Sequence, residues 1–206
     1  MSHYKLNINF SDEALKTIYS AKQRLALVKS VEGDSGKPVI WIATSPFEFN
    51  EVEWSSEYEI YASRQEARNG ATISKLSETT AIDRLRYDFK NGVFQNAHTE
   101  GRIENNQYGV RNMMDEYDRL TFGLAASAVV NGKKELGKPI NANTLPYNHT
   151  AVMSPVEKVS VFLAADTDDG VVQTNAYSNM IQLVYRGNEI EKSIRYDMEK
   201  GMFVPE

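Results

Sequence analysis

Cysteine is absent from this chain of 206 residues. A disulfide framework, a thiolate nucleophile and a thiolate metal site are therefore excluded, and stability has to come from a hydrophobic core. The sequence also lacks an apolar run near the ~20 residues that span a bilayer, and it lacks the basic start and apolar stretch of a secretory signal. We therefore expect a cytoplasmic protein, or one that is exported without a classical signal peptide.

An excess of positive charge is missing as well, because the formal net charge is -5 and the lysines and arginines are scattered. Without a basic patch, we do not expect nucleic acid to be a partner. The hydrophobic fraction of 41% and the charged fraction of 25% are those of an ordinary folded protein. We expect a single domain over residues 1–206 with a substantial core.

The sequence does contain segments in which polar and apolar residues alternate with a period of two. In the segment 51–62, one face carries glutamates with Ser55 and Tyr61, and the other carries Val52, Trp54, Ser56, Tyr58, Ile60 and Ala62. Such a pattern predicts a strand with one solvent-exposed face. Because the pattern recurs along the chain, we expect an all-β fold, an antiparallel β-sandwich of roughly 8–10 strands with one short N-terminal helix.

Local signals place several elements within this fold. Ser11, followed by two acidic residues, predicts a helix over about residues 11–22, because a serine side chain caps free amide groups. Asn91-Gly92 and Asn131-Gly132 are typical of tight hairpin turns. We expect a further hairpin between residues 178–185 and 189–196, and loops at 96–116 and 138–149, where polar residues or prolines accumulate.

One short motif is similar to the nucleophile motif of trypsin-like serine proteases, namely Gly33-Asp34-Ser35-Gly36-Lys37-Pro38. That resemblance would make Ser35 a nucleophile beside an oxyanion hole. The motif departs from the family at Lys37, where the family has glycine, and only His3 precedes the serine, whereas the family places its histidine and aspartate well before it. We interpret the segment as a hairpin loop and assign no catalytic residues.

The sequence provides little for a metal or a cofactor. His3, His98 and His149 have no ligand spacing. The segment Asp166-Thr-Asp-Asp-Gly170 resembles the start of a calcium loop, but its glycine comes one position early and the closing glutamate is replaced by Tyr177. We therefore predict no metal site and no cofactor.

Tyrosines and asparagines near loops are the most suggestive binding groups. Exposed tyrosines stack on sugars or lie at a membrane interface, although amphipathic rings also close the ends of a core. The residues that we select as ligand-binding candidates are Tyr61, Tyr108, Tyr147, Asn148 and Tyr177.

These observations predict a non-enzymatic protein that recognises a glycan or a membrane surface through its loops, in the manner of a lectin or of a cytolytic or insecticidal toxin. In the toxin version, Leu120–Val130 is either a membrane-inserting element or a core strand. The alternative is a structural or self-assembling storage or inclusion protein, a homo-oligomer whose acidic strand 51–62 is a protected sheet edge. A hydrolase without a visible motif ranks third.

Overall fold

A computed structural model describes residues 2–34, 36–99, 101–174, 177 and 179–206. Strands make up 58% of the structure and helix 5%. Within the described residues there are seventeen strands and one helix, α1 (Asp12–Ser20). The strands are β1 (His3–Asn9), β2 (Gln23–Gly33), β3 (Lys37–Pro38), β4 (Ile42–Thr44), β5 (Phe49–Ser55), β6 (Glu59–Ser63), β7 (Ser77–Thr80), β8 (Leu85–Lys90), β9 (Val93–Thr99), β10 (Tyr108–Asn112), β11 (Arg119–Val130), β12 (Lys133–Pro139), β13 (Asn141–Pro146), β14 (Thr150–Ala165), β15 (Ile181–Val184), β16 (Glu191–Asp197) and β17 (Met202–Pro205).

The strands form two mixed sheets that pack as a sandwich, one of them curled into a half-barrel. The larger sheet has the order β17-β16-β1-β5-β11-β13-β3, and β11 also pairs with β6 and β12, with β7 beside β6. The smaller sheet has the order β4-β2-β14-β10-β8-β9, with β15 beside β14. Most pairs are antiparallel, but β1 with β16 and β8 with β10 are parallel.

The core lies between the two sheets. The main cluster of buried apolar side chains draws on both, including Leu6 and Phe122 from the larger sheet and Leu25 and Phe89 from the smaller one. Trp41, in the segment between β3 and β4, is fully buried, and its Nε1 donates to the carbonyl oxygen of Ala126 at 3.0 Å. The division into domains remains a prediction.

The predicted fold class is confirmed, and several local predictions hold. The helix begins after Ser11, whose Oγ accepts a hydrogen bond from the backbone amide of Ala14 at 3.2 Å. Both Asn-Gly pairs turn antiparallel hairpins, β8–β9 and β11–β12, with Asn91 and Asn131 at positive φ. Leu120–Val130 lies in β11, whose neighbours flank it on both sides, so this segment is a core strand.

Other local predictions were wrong. The segment 51–62 forms two strands, β5 and β6, because Trp54 pairs with Ala128 and Glu59 with Ala125, which leaves extra residues around Glu57 to bulge out. The predicted loops 96–116 and 138–149 contain β10 and β13. The described residues of 178–196 do not form the predicted hairpin, because β15 pairs with β14 and β16 pairs with β1 and β17.

Candidate functional site

The predicted binding tyrosines do not converge on one surface. Tyr147 and Asn148 are exposed on the turn between β13 and β14, where Arg111 Nε donates to Asn148 Oδ1 at 3.2 Å. Tyr177 is half-buried and stacks on Phe162, with ring centroids 4.5 Å apart. Tyr108 and Tyr61 are buried in separate clusters of apolar side chains.

Tyr61, which was expected on the exposed face of its strand, is buried, and so is Tyr108, which was expected in or near a loop. Tyr61 does point out of the larger sheet, but Ala67, Ile73 and Val172 from loop segments cover it, and its hydroxyl donates to the carbonyl oxygen of Asn141 at 2.6 Å. Tyr108 belongs to β10 and packs against Tyr58, and burial is the main cause that raises its pKa to about 12. Tyr61 has no exposed surface, and Tyr108 is 6% exposed at the edge of a concavity of about 340 Å³ that Tyr58 also lines.

Instead, the structure exposes two phenylalanines that sequence reasoning missed. Phe47 and Phe49 are 57% and 72% exposed, and they lie in residues 45–50, here called the aromatic loop, which include the first two residues of β5. Glu48 between them is exposed as well. A large apolar side chain in water marks an interaction site when it belongs to a built surface rather than occurring singly.

The aromatic loop is held in place by hydrogen bonds. Asn50, which is buried, accepts from the backbone amide of Phe47 at 2.8 Å and donates to the carbonyl oxygens of Phe47 at 2.7 Å and Ile8 at 3.0 Å. The hydroxyl of Tyr19 in α1 donates to the carbonyl oxygen of Pro46, and the amide of Phe10 donates to that of Glu48 at 3.0 Å. The two rings are thus presented on a preorganised backbone, which lowers the entropic cost of binding.

Phe47 forms one wall of a cavity of about 350 Å³, the lateral cavity, between β4 of the smaller sheet and β12 of the larger. Its other lining residues are mostly polar, and they are Arg24, Ile42, Ala43, Thr44, Val130, Asn131, Lys133, Glu135, Lys138 and Asp169. A volume of this size suits a small organic ligand.

The charges of the lateral cavity are paired within the chain. Lys138 Nζ lies 2.5 Å from Asp169 and 3.2 Å from Glu135, and the hydrogen bond to Asp169 is the main cause that raises the pKa of Lys138. Lys133 lies 2.6 Å from Glu135 and lowers the pKa of that carboxyl group, while Arg24 pairs with Asp168. The cavity therefore offers many donors and acceptors but little net charge.

Phe49 borders a second concavity, the sheet-face groove, of about 500 Å³ on the outer face of the larger sheet. Its other lining residues are mostly polar, and they are Asn7, Asn9, Asn50, Glu51, Asn131, Gly132 and Ser193. The side-chain amide of Asn7 donates to Glu191 at 2.9 Å and that of Asn9 donates to Glu206 at 2.6 Å. Asn7 and Asn9 lie on β1, opposite Glu51 and Phe49 on β5, so strand register places the asparagines beside the ring. Amides suit polar ligands because each one both donates and accepts hydrogen bonds.

A buried ion pair is the other unusual feature. Lys29 of β2 is 0% exposed, and its Nζ lies 2.5 Å from Glu157 of β14 and within 6.0 Å of the ring centroids of Trp41, Trp54 and Tyr58. Glu157 also accepts hydrogen bonds from Trp54 Nε1 at 3.2 Å and Tyr58 Oη at 2.9 Å.

The two partners of this ion pair both have lowered pKa values, for different reasons. Burial lowers the pKa of Lys29 despite the attraction of Glu157. Burial alone would raise the pKa of Glu157, but the charge of Lys29 and the hydrogen bonds to the carboxylate outweigh it and lower the pKa. Because Lys29 has no exposed surface and its charge is compensated by Glu157, we interpret the pair as structural.

The sequence also raised the possibilities of a catalytic serine, a metal site and a membrane-spanning segment. Ser35 of the protease-like motif lies outside the described residues. In the part of the chain that the structure describes, no group of three or more histidine, aspartate or glutamate residues could hold a metal ion. No helix among those residues has the length and apolarity to cross a membrane.

The aspartates of the calcium-like segment are engaged in ion pairs, Asp168 with Arg24 and Asp169 with Lys138. Calcium needs about six to eight oxygen ligands, and displacing two cations to provide two of them is unfavourable. We therefore expect that calcium causes no saturable rise in the melting temperature, measured by differential scanning fluorimetry. A rise that saturates below millimolar calcium and is lost in Asp168→Ala would contradict this prediction.

No protein-family model, curated protein or solved structure matches this chain. The function therefore has to be inferred from the exposed rings and the two polar concavities beside them.

Proposed function

We propose that this protein binds carbohydrate, without catalysis, through the aromatic loop and the concavities on either side of it. The observation that carries the proposal is the pair of exposed rings, Phe47 and Phe49, on an anchored backbone, each bordering a polar concavity. Sugars combine apolar C–H faces, which pack on aromatic rings, with many hydroxyls, which need both donors and acceptors.

The polar lining favours a carbohydrate over a membrane surface. Insertion of the aromatic loop into a bilayer would take the exposed Glu48 with the two phenylalanines, and burying a carboxylate in lipid is costly. The net charge of -5 also opposes adsorption to anionic lipids. Leu120–Val130, the membrane-inserting candidate, is a core strand and supports no insertion.

The self-assembly alternative loses the feature that suggested it. The acidic strand was expected to be a sheet edge, but β5 lies between β1 and β11, and β6 lies between β11 and β7. The glutamates of these strands therefore do not guard an open edge. Self-assembly remains a prediction that rests on no particular surface.

The test of carbohydrate binding uses a glycan array with the wild-type protein, Phe47→Ala and Phe49→Ala. We expect specific binding by the wild type and a loss of about tenfold or more in each variant, since removing a stacked ring costs ~1–2 kcal/mol. Ile82→Ala is the matched control, because Ile82 is 56% exposed and lines neither concavity. It should bind like the wild type.

Titration with neutral phosphatidylcholine vesicles distinguishes membrane binding from glycan binding, the two kinds of recognition that the sequence predicted. We expect no vesicle binding. Absence of binding to any glycan would overturn the proposal, and vesicle binding that depends on Phe47 and Phe49 would replace it with membrane recognition. Urea unfolding of each variant checks that the fold is intact.

A further inference from the structure

The two concavities beside the aromatic loop have a common wall. Asn131, at the turn between β11 and β12, lines both the lateral cavity and the sheet-face groove. Either concavity by itself has room for a sugar ring, and each has one phenylalanine at its border. A ligand that occupies both concavities would therefore contact Asn131.

The Asn131 turn is fixed to β5 and yet has a donor to offer. Its backbone amide donates to the carbonyl oxygen of Glu51 at 2.9 Å, and its Oδ1 accepts from the amide of Glu51 at 2.8 Å. Its Nδ2 is held only loosely, 3.5 Å from Asn50 Oδ1, which already accepts from the amide of Phe47. The side-chain nitrogen of Asn131 makes only this long hydrogen bond, so it retains the capacity to donate to a hydroxyl or ring oxygen of a ligand at the turn.

The lateral cavity and the sheet-face groove carry different polar groups, but both favour an uncharged ligand. The lateral cavity offers charged groups in mutually compensating pairs, and the sheet-face groove offers mainly amides and a hydroxyl, with Lys5 2.5 Å from Glu51 at its edge. An acidic ligand would have to break these ion pairs to gain a counter-charge. An uncharged ligand with hydroxyl groups needs no counter-charge and leaves these ion pairs intact.

From this continuity we propose that the site takes an uncharged oligosaccharide, which spans both concavities across Asn131, rather than a single terminal sugar. The inference rests on the proposed carbohydrate binding and assigns two subsites to it, one beside Phe47 and one beside Phe49. Occupying two linked subsites makes the second contact intramolecular, so the affinity rises with chain length.

Isothermal titration calorimetry with mono-, di-, tetra- and hexasaccharides of the uncharged cello-, malto- and N-acetylchito- series tests this inference. We expect the hexasaccharide to bind at least about tenfold more tightly than the monosaccharide. Phe47→Ala and Phe49→Ala should both weaken the hexasaccharide, whereas a monosaccharide in one subsite should respond to only one of them.

Asn131→Gly tests the crossing point, because glycine keeps the positive φ of the turn and removes the amide. We expect severalfold weaker hexasaccharide binding and little change for the monosaccharide. Asn91→Gly is the matched control, since Asn91 occupies the same position in the β8–β9 turn, away from both concavities. It should leave binding unchanged.

Three other results would contradict the inference or the proposed function. Equal affinity for all chain lengths overturns the two-subsite inference and leaves carbohydrate binding standing, whereas no binding of any sugar removes both. Tighter binding of an oligogalacturonide than of every neutral hexasaccharide overturns the assignment of an uncharged ligand.

Discussion

Glu157→Gln should lower the free energy of unfolding by about 3–5 kcal/mol, the usual cost of removing one partner of a buried ion pair. Lys29 is 0% exposed, and Glu157 is the carboxylate 2.5 Å from its Nζ. Without that carboxylate, the ammonium is left with aromatic faces and a neutral amide, which do not repay its dehydration. Urea unfolding followed by tryptophan fluorescence measures the loss.

A second substitution distinguishes charge from packing in this cluster. Lys29→Met removes the charge and keeps an unbranched apolar side chain, so the double variant Lys29→Met/Glu157→Gln should be more stable than Glu157→Gln alone. A double variant that is no more stable than the single one would show that the loss came from the contacts of Glu157 with Trp54 and Tyr58. Glu57→Lys, an exposed glutamate on the bulge between β5 and β6, is the control and should change stability by ~0.5 kcal/mol or less.

The same pair sets a dependence on pH. The pKa of Glu157 is lowered from its ordinary value of 4.5 in the folded protein, so its stabilisation is present above that value and is lost as pH falls through the lowered pKa. The stability difference between the wild type and Glu157→Gln should therefore be full at neutral pH and narrow in acid. A difference that stays constant down to the acid unfolding of the protein would contradict the lowered pKa.

Trp54→Ala should also cost ~3–5 kcal/mol, because it removes a large ring from the centre of the fold. Trp54 is 3% exposed, stacks on Tyr4 at 5.6 Å, and meets Trp41 and Tyr185 edge-on at 5.7 and 5.2 Å. Neighbouring strands hold these rings in place, so the cavity left by the tryptophan cannot collapse fully.

Two comparisons sharpen this prediction. Trp54→Phe keeps a ring but loses the hydrogen bond from Nε1 to Glu157, and it should cost less than Trp54→Ala. Tyr147→Ala, at an aromatic residue that is 44% exposed, should stay within ~0.5 kcal/mol of the wild type. Equal losses for Trp54→Ala and Tyr147→Ala in thermal or urea unfolding would overturn the assignment of the core face.

The sequence by itself predicted the features that depend on residues close together in the chain. The serine cap of α1, the Asn-Gly turns at Asn91 and Asn131, and the alternation in β5 depend on residues close in the chain. An alternating apolar face also has to be buried against another sheet, and this requirement by itself predicted the all-β sandwich. These predictions needed no knowledge of which strand pairs with which.

Only the tertiary structure decided strand pairing and exposure, because both depend on segments far apart in sequence. The parallel pairing of β1 with β16 brings Ile8 beside Ile194, which no turn signal indicates. A lysine such as Lys29 is expected at the surface, but Glu157 and three aromatic rings enclose it in the folded protein. Likewise, Tyr61 was expected on an exposed face and is buried, because loop residues such as Ile73 cover that face.

The candidate site contains the opposite case, in which side chains expected in the core are exposed. Phe47 and Phe49 have the composition of core residues, and a sequence pattern places such rings inside. They stay outside because Asn50 turns its side chain inward, bonds to Phe47 and Ile8, and fixes a backbone path on which no other segment packs over the rings among the described residues. Whether a side chain is buried depends on what lies opposite it, and that is set by the fold as a whole rather than by its neighbours in sequence.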